Sequence, residues 1–208
     1  MIELVVFDAD GVLFDSYDAN IAYYNAIYHA VGELPLDDKE RLASISYSTE
    51  QVLRMRSPES HVLERMLEVA RTLDPAPFLR MLRPPFELRP FMLKLKSRYK
   101  LGLATNRSAT VLPMVEFLGL RDVFDSIASA FDQVAHKPAP DILELCLKRA
   151  AVAPPRAVYV GDSPIDLDAA TAAGMHFIAV GARVGHERSI RTLDELPAAL
   201  ASLTASAR

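Results

Sequence analysis

The chain has 208 residues, half of them hydrophobic, which is enough for one substantial core and excludes a disordered protein. Its net charge of −4, with basic residues scattered among acidic ones, lacks the positive footprint that a nucleic-acid backbone requires. No apolar stretch reaches the roughly 18 residues that span a bilayer, and no basic leader precedes the first apolar run, so we expect a cytoplasmic protein that binds neither nucleic acid nor membrane.

The first predicted element is a buried strand, because residues 2–7 form a short apolar run rich in Val and Ile. Helical periodicity follows, without a convincing strand, until Pro84 and Pro85. The helices predicted in this block cover about 16–31, 37–44, 48–56, 58–73 and 75–82.

From Phe86 onward the pattern alternates between helices and strands, which predicts parallel crossover units. The predicted strands are 100–105, about 126–130, 157–161 and 176–180, and the predicted helices are about 90–98, 108–118, 140–151 and 164–173. The Ala/Ser-rich end, residues 198–208, is predicted to be a short helix that frays.

A single strand is not stable alone, so the first strand must join the later sheet. The sequence therefore predicts an α/β fold in which a parallel sheet core, residues 1–14 and 86–208, is interrupted by an all-helical insert, residues 15–85. An insert at this point would lie as a cap over the loop that follows the first strand.

Two aspartates, Asp8 and Asp10, follow the first strand directly and precede Gly11. Ligands of open α/β sheets bind beyond the carboxyl ends of the strands, so this pair lies where chemistry is expected. Such a pair is typical of a nucleophile with a neighbouring acid. The alternative is that both carboxylates only cap a turn.

The later strands also end in polar groups suited to a phosphate. One strand runs into Thr105 and Asn106, which offer a hydroxyl and backbone amides ahead of a helix. Another strand is followed by Lys137, and Pro138 and Pro140 come directly after this lysine at the start of a predicted helix. A third strand runs into Asp162 and Asp166. The alternatives are helix capping by Asn106, Ser108, Asp162 or Ser163, and a solvated charge on Lys137. All four loops leave one edge of the predicted sheet, which favours a shared site.

The carboxylates of Asp8, Asp162 and Asp166 would repel one another if they met without a cation. A hard divalent ion is therefore implied. Mg²⁺ fits best, because it prefers oxygen ligands and commonly joins one or two carboxylates to a phosphate.

In their order and spacing these loops resemble the four motifs of the haloacid dehalogenase superfamily of phosphohydrolases. The matching segments are 8–16, Thr105-Asn106, Lys137-Pro138 and 161–166. The resemblance covers the whole chain, including a helical cap after the first motif, and is closest to the phosphoglycolate phosphatase-like branch. It implies a Rossmann-like core and a Mg²⁺-dependent phosphatase.

The resemblance also implies catalytic roles. Asp8 would be the nucleophile that forms an aspartyl-phosphate, and Asp10 the general acid and base, a role that suits a moderately raised pKa. The metal would be held by Asp8, the backbone carbonyl of Asp10 and Asp162, with Asp166 behind them, orienting these ligands or Lys137. The phosphoryl oxygens would be bound by Thr105, the Asn106 amide and Lys137, which also restrains Asp8.

Three positions at which this chain differs from related branches of the superfamily reduce the number of reactions to consider. Asp10 argues against dehalogenases, which lack this second aspartate. Lys39 is the only lysine between residues 15 and 85, which disfavours a phosphonoacetaldehyde hydrolase with its cap lysine. Members of the β-phosphoglucomutase group usually carry a histidine where this chain has Asn20, so hydrolysis is favoured over phosphoryl return.

Substrate selection is expected to lie in the insert. The candidate contacts are Tyr17, Tyr23, Tyr24, the run 44–48, Arg54 and Arg56. An arginine could bind a substrate carboxylate through two hydrogen bonds, although many surface arginines serve solubility alone. The tyrosines have the spacing of a helix face, which favours packing within the insert.

The leading hypothesis is a Mg²⁺-dependent phosphatase for a small phosphorylated metabolite, either a phosphoglycolate-like compound or a sugar phosphate. The alternatives are a β-phosphoglucomutase-like phosphomutase and a non-catalytic protein that senses phosphate. The protein is expected to be a monomer or a weak homodimer.

Overall fold

A computed structural model describes residues 1–58 and 61–205. Its centre is a parallel sheet of six strands in the order β3-β2-β1-β4-β5-β6. The strands are β1 (Leu4–Phe7), β2 (Lys100–Thr105), β3 (Ser126–Ser129), β4 (Ala157–Gly161), β5 (His176–Val180) and β6 (Ser189–Ile190). The predicted α/β fold with a parallel sheet is confirmed, and β6 is an additional short strand that the sequence pattern did not indicate.

The first strand lies in the middle of the sheet, with Phe7 opposite Leu103 of β2 and Val160 of β4. The chain builds β1 to β3 in one direction and then continues with β4 on the other side of β1. A sheet opens a crevice at the carboxyl ends of its strands where the strand order reverses in this way. The residues that follow β1, β2 and β4 border this crevice.

The helices occur in the predicted order, with ends that differ by a few residues from the prediction. They are α1 (Tyr17–Val31), α2 (Asp38–Ala43), α3 (Thr49–Arg56), α4 (His61–Thr72), α5 (Ala76–Leu79), α6 (Leu88–Lys96), α7 (Val111–Phe117), α8 (Asp141–Ala150), α9 (Pro164–Ala172) and α10 (Leu196–Ala205). Parts of two predicted helices, residues 59–60 and 206–208, lie outside the described residues. No described helix is long and apolar enough to cross a membrane.

Hydrophobic side chains cover both faces of the sheet, as expected for strands whose side chains alternate. Val5 and Phe7 pack with residues of α6, α7 and α10, whereas Leu4 and Val6 pack with residues of α8 and α9. A third cluster belongs to helices α1 to α4 and contains Ile27, Leu53 and Met66. This separate cluster is compatible with a cap domain, but the division into a core, residues 1–14 and 86–208, and a cap, residues 15–85, stays a prediction.

Candidate active site

The loop after β1 brings Asp8 and Asp10 to the crevice, where both carboxylates are buried. Gly11 turns the chain behind them with φ +75°, a conformation that favours glycine. A Cβ atom at Gly11 would lie 2.2 Å from Oδ2 of Asp162. The first loop and the loop after β4 therefore approach each other so closely that a side chain at residue 11 would displace Asp162.

Lys137 is buried, and its ammonium group has three partners. Nζ donates hydrogen bonds to Oδ1 of Asp8 over 2.8 Å, to Oδ1 of Asp166 over 2.6 Å and to the hydroxyl of Tyr159 over 2.8 Å. Burial disfavours the ammonium, but Asp166 and Asp8 outweigh it and keep the pKa of Lys137 above its usual range. Lys137 is thus a fixed positive charge beside Asp8, not the solvated lysine of the alternative interpretation.

Asp166 supports this lysine from the first turn of α9. Its Oδ2 atom accepts hydrogen bonds from the hydroxyl of Ser163 over 2.6 Å, from the Ser163 amide over 3.0 Å and from the Asp162 amide over 3.2 Å. Burial alone would raise the pKa of Asp166, but Lys137 and Ser163 hold it below its usual value. Asp166 therefore ties Lys137 to the loop that carries Asp162.

Asp8, Asp162 and Asp166 each offer a carboxylate oxygen within 4.8 Å of the others. Burial raises the pKa of Asp162 to about 6, with a further contribution from Asp166 and despite Arg183, whose NH1 lies 2.8 Å from Oδ2 of Asp162. Burial also raises the pKa of Asp8 above its usual value, although Lys137 opposes this. A set of crowded, incompletely neutralised oxygen donors suits a hard divalent cation. The residues present therefore fit a divalent metal ion, the class to which the predicted Mg²⁺ belongs.

Asp10 is held by an ion pair that the sequence patterns did not reveal. Arg107 donates from Nε to Oδ2 of Asp10 over 2.8 Å and from NH2 to Oδ1 over 2.6 Å. The hydroxyl of Ser16 donates to the same Oδ1 atom, and the side-chain amide of Asn20 approaches it at 3.4 Å. Burial raises the pKa of Asp10, but the charge and hydrogen bonds of Arg107 outweigh it and lower the pKa. The expectation of a raised pKa for Asp10 is thus wrong in this conformation.

The loop after β2 contributes Thr105 and Asn106, both buried. Oδ1 of Asn106 accepts from the Lys137 amide over 2.9 Å, and its Nδ2 donates to the Ser46 carbonyl over 3.0 Å. Asn106 does not cap α7, because that helix begins only at Val111. The asparagine side chain instead connects the loop of Lys137 to the helical insert, while Thr105 and the Asn106 backbone amide stay the predicted phosphate contacts.

A partly open cavity lies between the crevice and the helical insert. Asp8, Asp10, Thr105, Asn106 and Lys137 line its floor. Its upper wall comes from the insert and includes Asn20, Tyr23, Tyr24, Tyr47, Thr49 and Phe78.

The structure separates the substrate-contact candidates of the insert into two groups. Tyr23, Tyr24 and residues 44–47 line the cavity, whereas Tyr17, Ser48, Arg54 and Arg56 are not among the residues that line it. Arg54 pairs with Glu50 on the surface, and Arg56 binds the Glu40 carboxylate and the Leu34 and Pro35 carbonyls. A role for either arginine in binding a substrate carboxylate is therefore wrong for this conformation.

Sequence reasoning assigned no role to three residues of the site, namely Arg107, Tyr159 and Arg183. Arg107 directly follows Asn106, so its position beside the site could have been inferred, although its choice of Asp10 could not. Tyr159 lies between Val158 and Val160 in a buried strand, and this pattern is typical of a packing residue. Arg183 lies in the loop after β5, which has no recognisable phosphate-binding pattern.

Comparison with known proteins agrees with this geometry. A match to the haloacid dehalogenase-like hydrolases covers residues 5–180. Fructose-1-phosphate phosphatase YqaB of Escherichia coli K12 is 27% identical over 85% of this chain and 95% of its own. Phosphoglycolate phosphatase of Escherichia coli O157:H7 is 30% identical over 82% of this chain and 77% of its own.

The fold agrees as well. A HAD-superfamily hydrolase of subfamily IA from Geobacter sulfurreducens PCA superimposes with a TM-score of 0.74 and 28% identity, over 96% of each chain. The site and the fold thus define a hydrolase with a carboxylate-rich, metal-compatible centre. This chain belongs to the haloacid dehalogenase-like hydrolase family, and the predicted enzyme class of phosphoric monoester hydrolase is confirmed.

Proposed function

We propose that the protein is a Mg²⁺-dependent phosphatase that hydrolyses a small phosphate monoester through an aspartyl-phosphate on Asp8. One observation carries this proposal. The buried Asp8 carboxylate lies on the cavity floor, bonded to Lys137 and within 4.8 Å of oxygens of Asp162 and Asp166. A nucleophile, a fixed cation and a set of metal ligands are the parts that phosphoryl transfer requires.

In the proposed reaction, Asp8 attacks the phosphorus and the ester bond to the leaving alcohol breaks. Asp10 gives its proton to the departing oxygen, and as a carboxylate it later takes a proton from the water that hydrolyses the aspartyl-phosphate. Arg107 stabilises the Asp10 carboxylate, so the pair makes the protonated form of Asp10 a strong acid toward the departing oxygen.

The remaining residues position the phosphate and neutralise charge. Lys137 holds Asp8 and supplies positive charge beside the phosphoryl oxygens, while Thr105 and the Asn106 amide donate hydrogen bonds to them. Asp8, the Asp10 carbonyl and Asp162 would hold Mg²⁺, with Asp166 behind them. When bound, the ion would polarise the phosphoryl group and offset the charge of the carboxylates.

The test is release of phosphate from p-nitrophenyl phosphate by the purified protein. We expect turnover with Mg²⁺, its loss with EDTA, and a fall of at least about a thousandfold in Asp8→Asn. Asp122→Asn is the matched control, because Asp122 is an exposed carboxylate that pairs with Arg89. It precedes the amino end of β3, whereas the crevice lies at the carboxyl ends of the strands. Near-normal turnover in Asp8→Asn would exclude the proposed nucleophile.

A sugar-phosphate and bisphosphate assay separates hydrolysis from the phosphomutase alternative. Free phosphate alone supports a phosphatase, whereas exchange of phosphate between positions supports a mutase. Lack of turnover on a broad panel of phosphate esters would favour the non-catalytic alternative. The cytoplasmic location and the monomeric or weakly dimeric state stay predictions that belong to this proposal.

A further inference from the structure

We propose that the cavity selects phosphate esters of neutral, hydroxyl-rich alcohols and discriminates against esters whose leaving group carries a second negative charge. The inference rests on the phosphatase function proposed above and names the substrate class of the same site. It depends on how each positive charge along the cavity is engaged.

The first of these charges is Lys137. Its ammonium group has three N–H donors, and the three are taken by Asp8, Asp166 and Tyr159 at 2.6 to 2.8 Å. The side chain is almost completely buried at the floor, beside the nucleophile. Lys137 therefore serves the phosphate end of a substrate and cannot turn toward a distant carboxylate.

The second charge is Arg107. Its guanidinium is occupied by both oxygens of Asp10 and by Oδ1 of Asn20, which accepts from NH2 over 3.1 Å. Asp10 occupies the Nε and NH2 edge of Arg107, and its negative charge already balances that of the guanidinium. A substrate carboxylate could approach only NH1, which lies 3.4 Å from Oγ1 of Thr110, or displace Asn20 from NH2. It would then lie close to the buried Asp10 carboxylate, and repulsion between the like charges would offset the attraction to Arg107.

Arg107 and Lys137 are the cationic side chains among the described residues that line the cavity. The arginines of the insert are engaged elsewhere, with Arg54 on Glu50, Arg56 on Glu40 and Arg83 on Asp18. A second anionic group on the substrate would therefore enter a partly enclosed, low-dielectric space without an uncommitted cation, which is unfavourable.

The charges of the site lead to the same conclusion. Asp8, Asp10, Asp162 and Asp166 face the positive charges of Lys137, Arg107 and Arg183. When a divalent ion is included, the positive charges exceed the carboxylates by one. A phosphate monoester dianion already reverses this balance, so a further negative charge would increase the repulsion.

The upper wall suits an alcohol with several hydroxyl groups. The side chains of Tyr24, Tyr47 and Thr49 line it, and hydroxyl groups can both donate and accept hydrogen bonds. Phe78 and Leu82 add apolar surface against which the C–H groups of a polyol can pack. This wall recognises a neutral, hydroxylated leaving group without a charge.

The test compares three pairs of esters that differ mainly in a carboxylate: 2-hydroxyethyl phosphate with 2-phosphoglycolate, glycerol 3-phosphate with 3-phosphoglycerate, and sorbitol 6-phosphate with 6-phosphogluconate. We expect kcat/KM to be at least tenfold higher for the neutral member in two or more pairs. Any other outcome on an enzyme that hydrolyses p-nitrophenyl phosphate overturns the inference. If p-nitrophenyl phosphate is also inert, the proposed function itself fails.

A charge variant tests the cause of the discrimination. Tyr47→Lys places an uncommitted ammonium on the cavity wall, and Tyr17→Lys makes the same change outside the cavity, with both tyrosines 42% exposed. Tyr47→Lys should lower the preference for the neutral ester at least threefold, and Tyr17→Lys should leave it unchanged. An equal preference in both variants and the parent would show that charge is not the cause.

Discussion

Arg107 forms a bidentate ion pair with Asp10, in which its Nε and NH2 atoms lie 2.8 and 2.6 Å from the two carboxylate oxygens. Both side chains are largely buried, and each comes from a different loop at the carboxyl edge of the sheet. The pair therefore joins the loops after β1 and β2 and also determines the protonation of Asp10. It is both a structural contact and a constraint on the proposed chemistry.

Arg107→Met should lower the free energy of unfolding by about 3 kcal/mol at pH 7, because it leaves a buried carboxylate without its cation. Since Arg107 lowers the pKa of Asp10 in the folded protein, the pair stabilises the fold above the ordinary aspartate value of 3.8. This stabilisation is lost as the pH falls through the lower folded-state pKa. Urea unfolding at several pH values should show a difference from the parent that is largest near neutrality and shrinks in acid.

Arg54→Met is the control for this prediction, because Arg54 pairs with Glu50 on the exposed surface of α3. Its effect should stay below about 1 kcal/mol. Equal stability of Arg107→Met and Arg54→Met at pH 7 would contradict the importance of the buried pair.

Tyr159→Phe should reduce kcat about tenfold while KM changes little. The Tyr159 hydroxyl accepts from Lys137 and donates to the Ala104 carbonyl over 2.9 Å, so it fixes the ammonium without reaching the substrate. Steady-state kinetics with p-nitrophenyl phosphate measure the effect.

Tyr28→Phe removes a comparable hydroxyl from the helical insert, where it donates to Glu40 over 3.1 Å. It should alter stability but not kcat. If both variants lose stability to the same extent and neither loses turnover, Tyr159 has no positioning role.

Gly11→Ala should abolish metal-dependent turnover. The new Cβ would lie 2.2 Å from Oδ2 of Asp162, a separation that forces this carboxylate to move. Gly181→Ala separates the clash from backbone strain, since Gly181 has the same φ of +75° but no atom lies within 4 Å of the position that its Cβ would take. Only the first variant should lose activity, and comparable losses in both would assign the effect to strain.

Mg²⁺ should raise the melting temperature of the parent protein, because a ligand that binds only the folded state stabilises it by about 2.7 kcal/mol at a hundred times its Kd. Asp162→Asn should lose this shift, which differential scanning calorimetry with and without EDTA would measure. Asp168→Asn, an exposed position on α9, should retain it. A shift of the same size in Asp162→Asn would remove Asp162 from the ligand set.

Without metal, Asp162→Asn should be at least as stable as the parent at pH 7. Burial raises the pKa of Asp162 to about 6, so the charged form is disfavoured in the folded state. The parent should gain stability relative to this variant as the pH falls through 6 toward the ordinary aspartate value of 3.8, because its carboxylate then takes up a proton in the folded state.

The sequence by itself determined the order of the elements and the loops that carry Asp8, Asp162 and Lys137. Hydrophobic periodicity and the helix and turn signals act over a few residues, so they can be read locally. The two-residue strand β6 was not predicted, because it is too short to show the alternating pattern of a strand.

Only the tertiary structure decided which charges pair. Arg107, Arg56 and Arg183 are equally plausible partners for several carboxylates when read along the chain, yet they bind Asp10, Glu40 and Asp162. The choice depends on distances, burial and side-chain rotamers between segments far apart in sequence. No local pattern encodes these quantities, because the energy of an ion pair depends on where folding places both charges and on how much water remains around them.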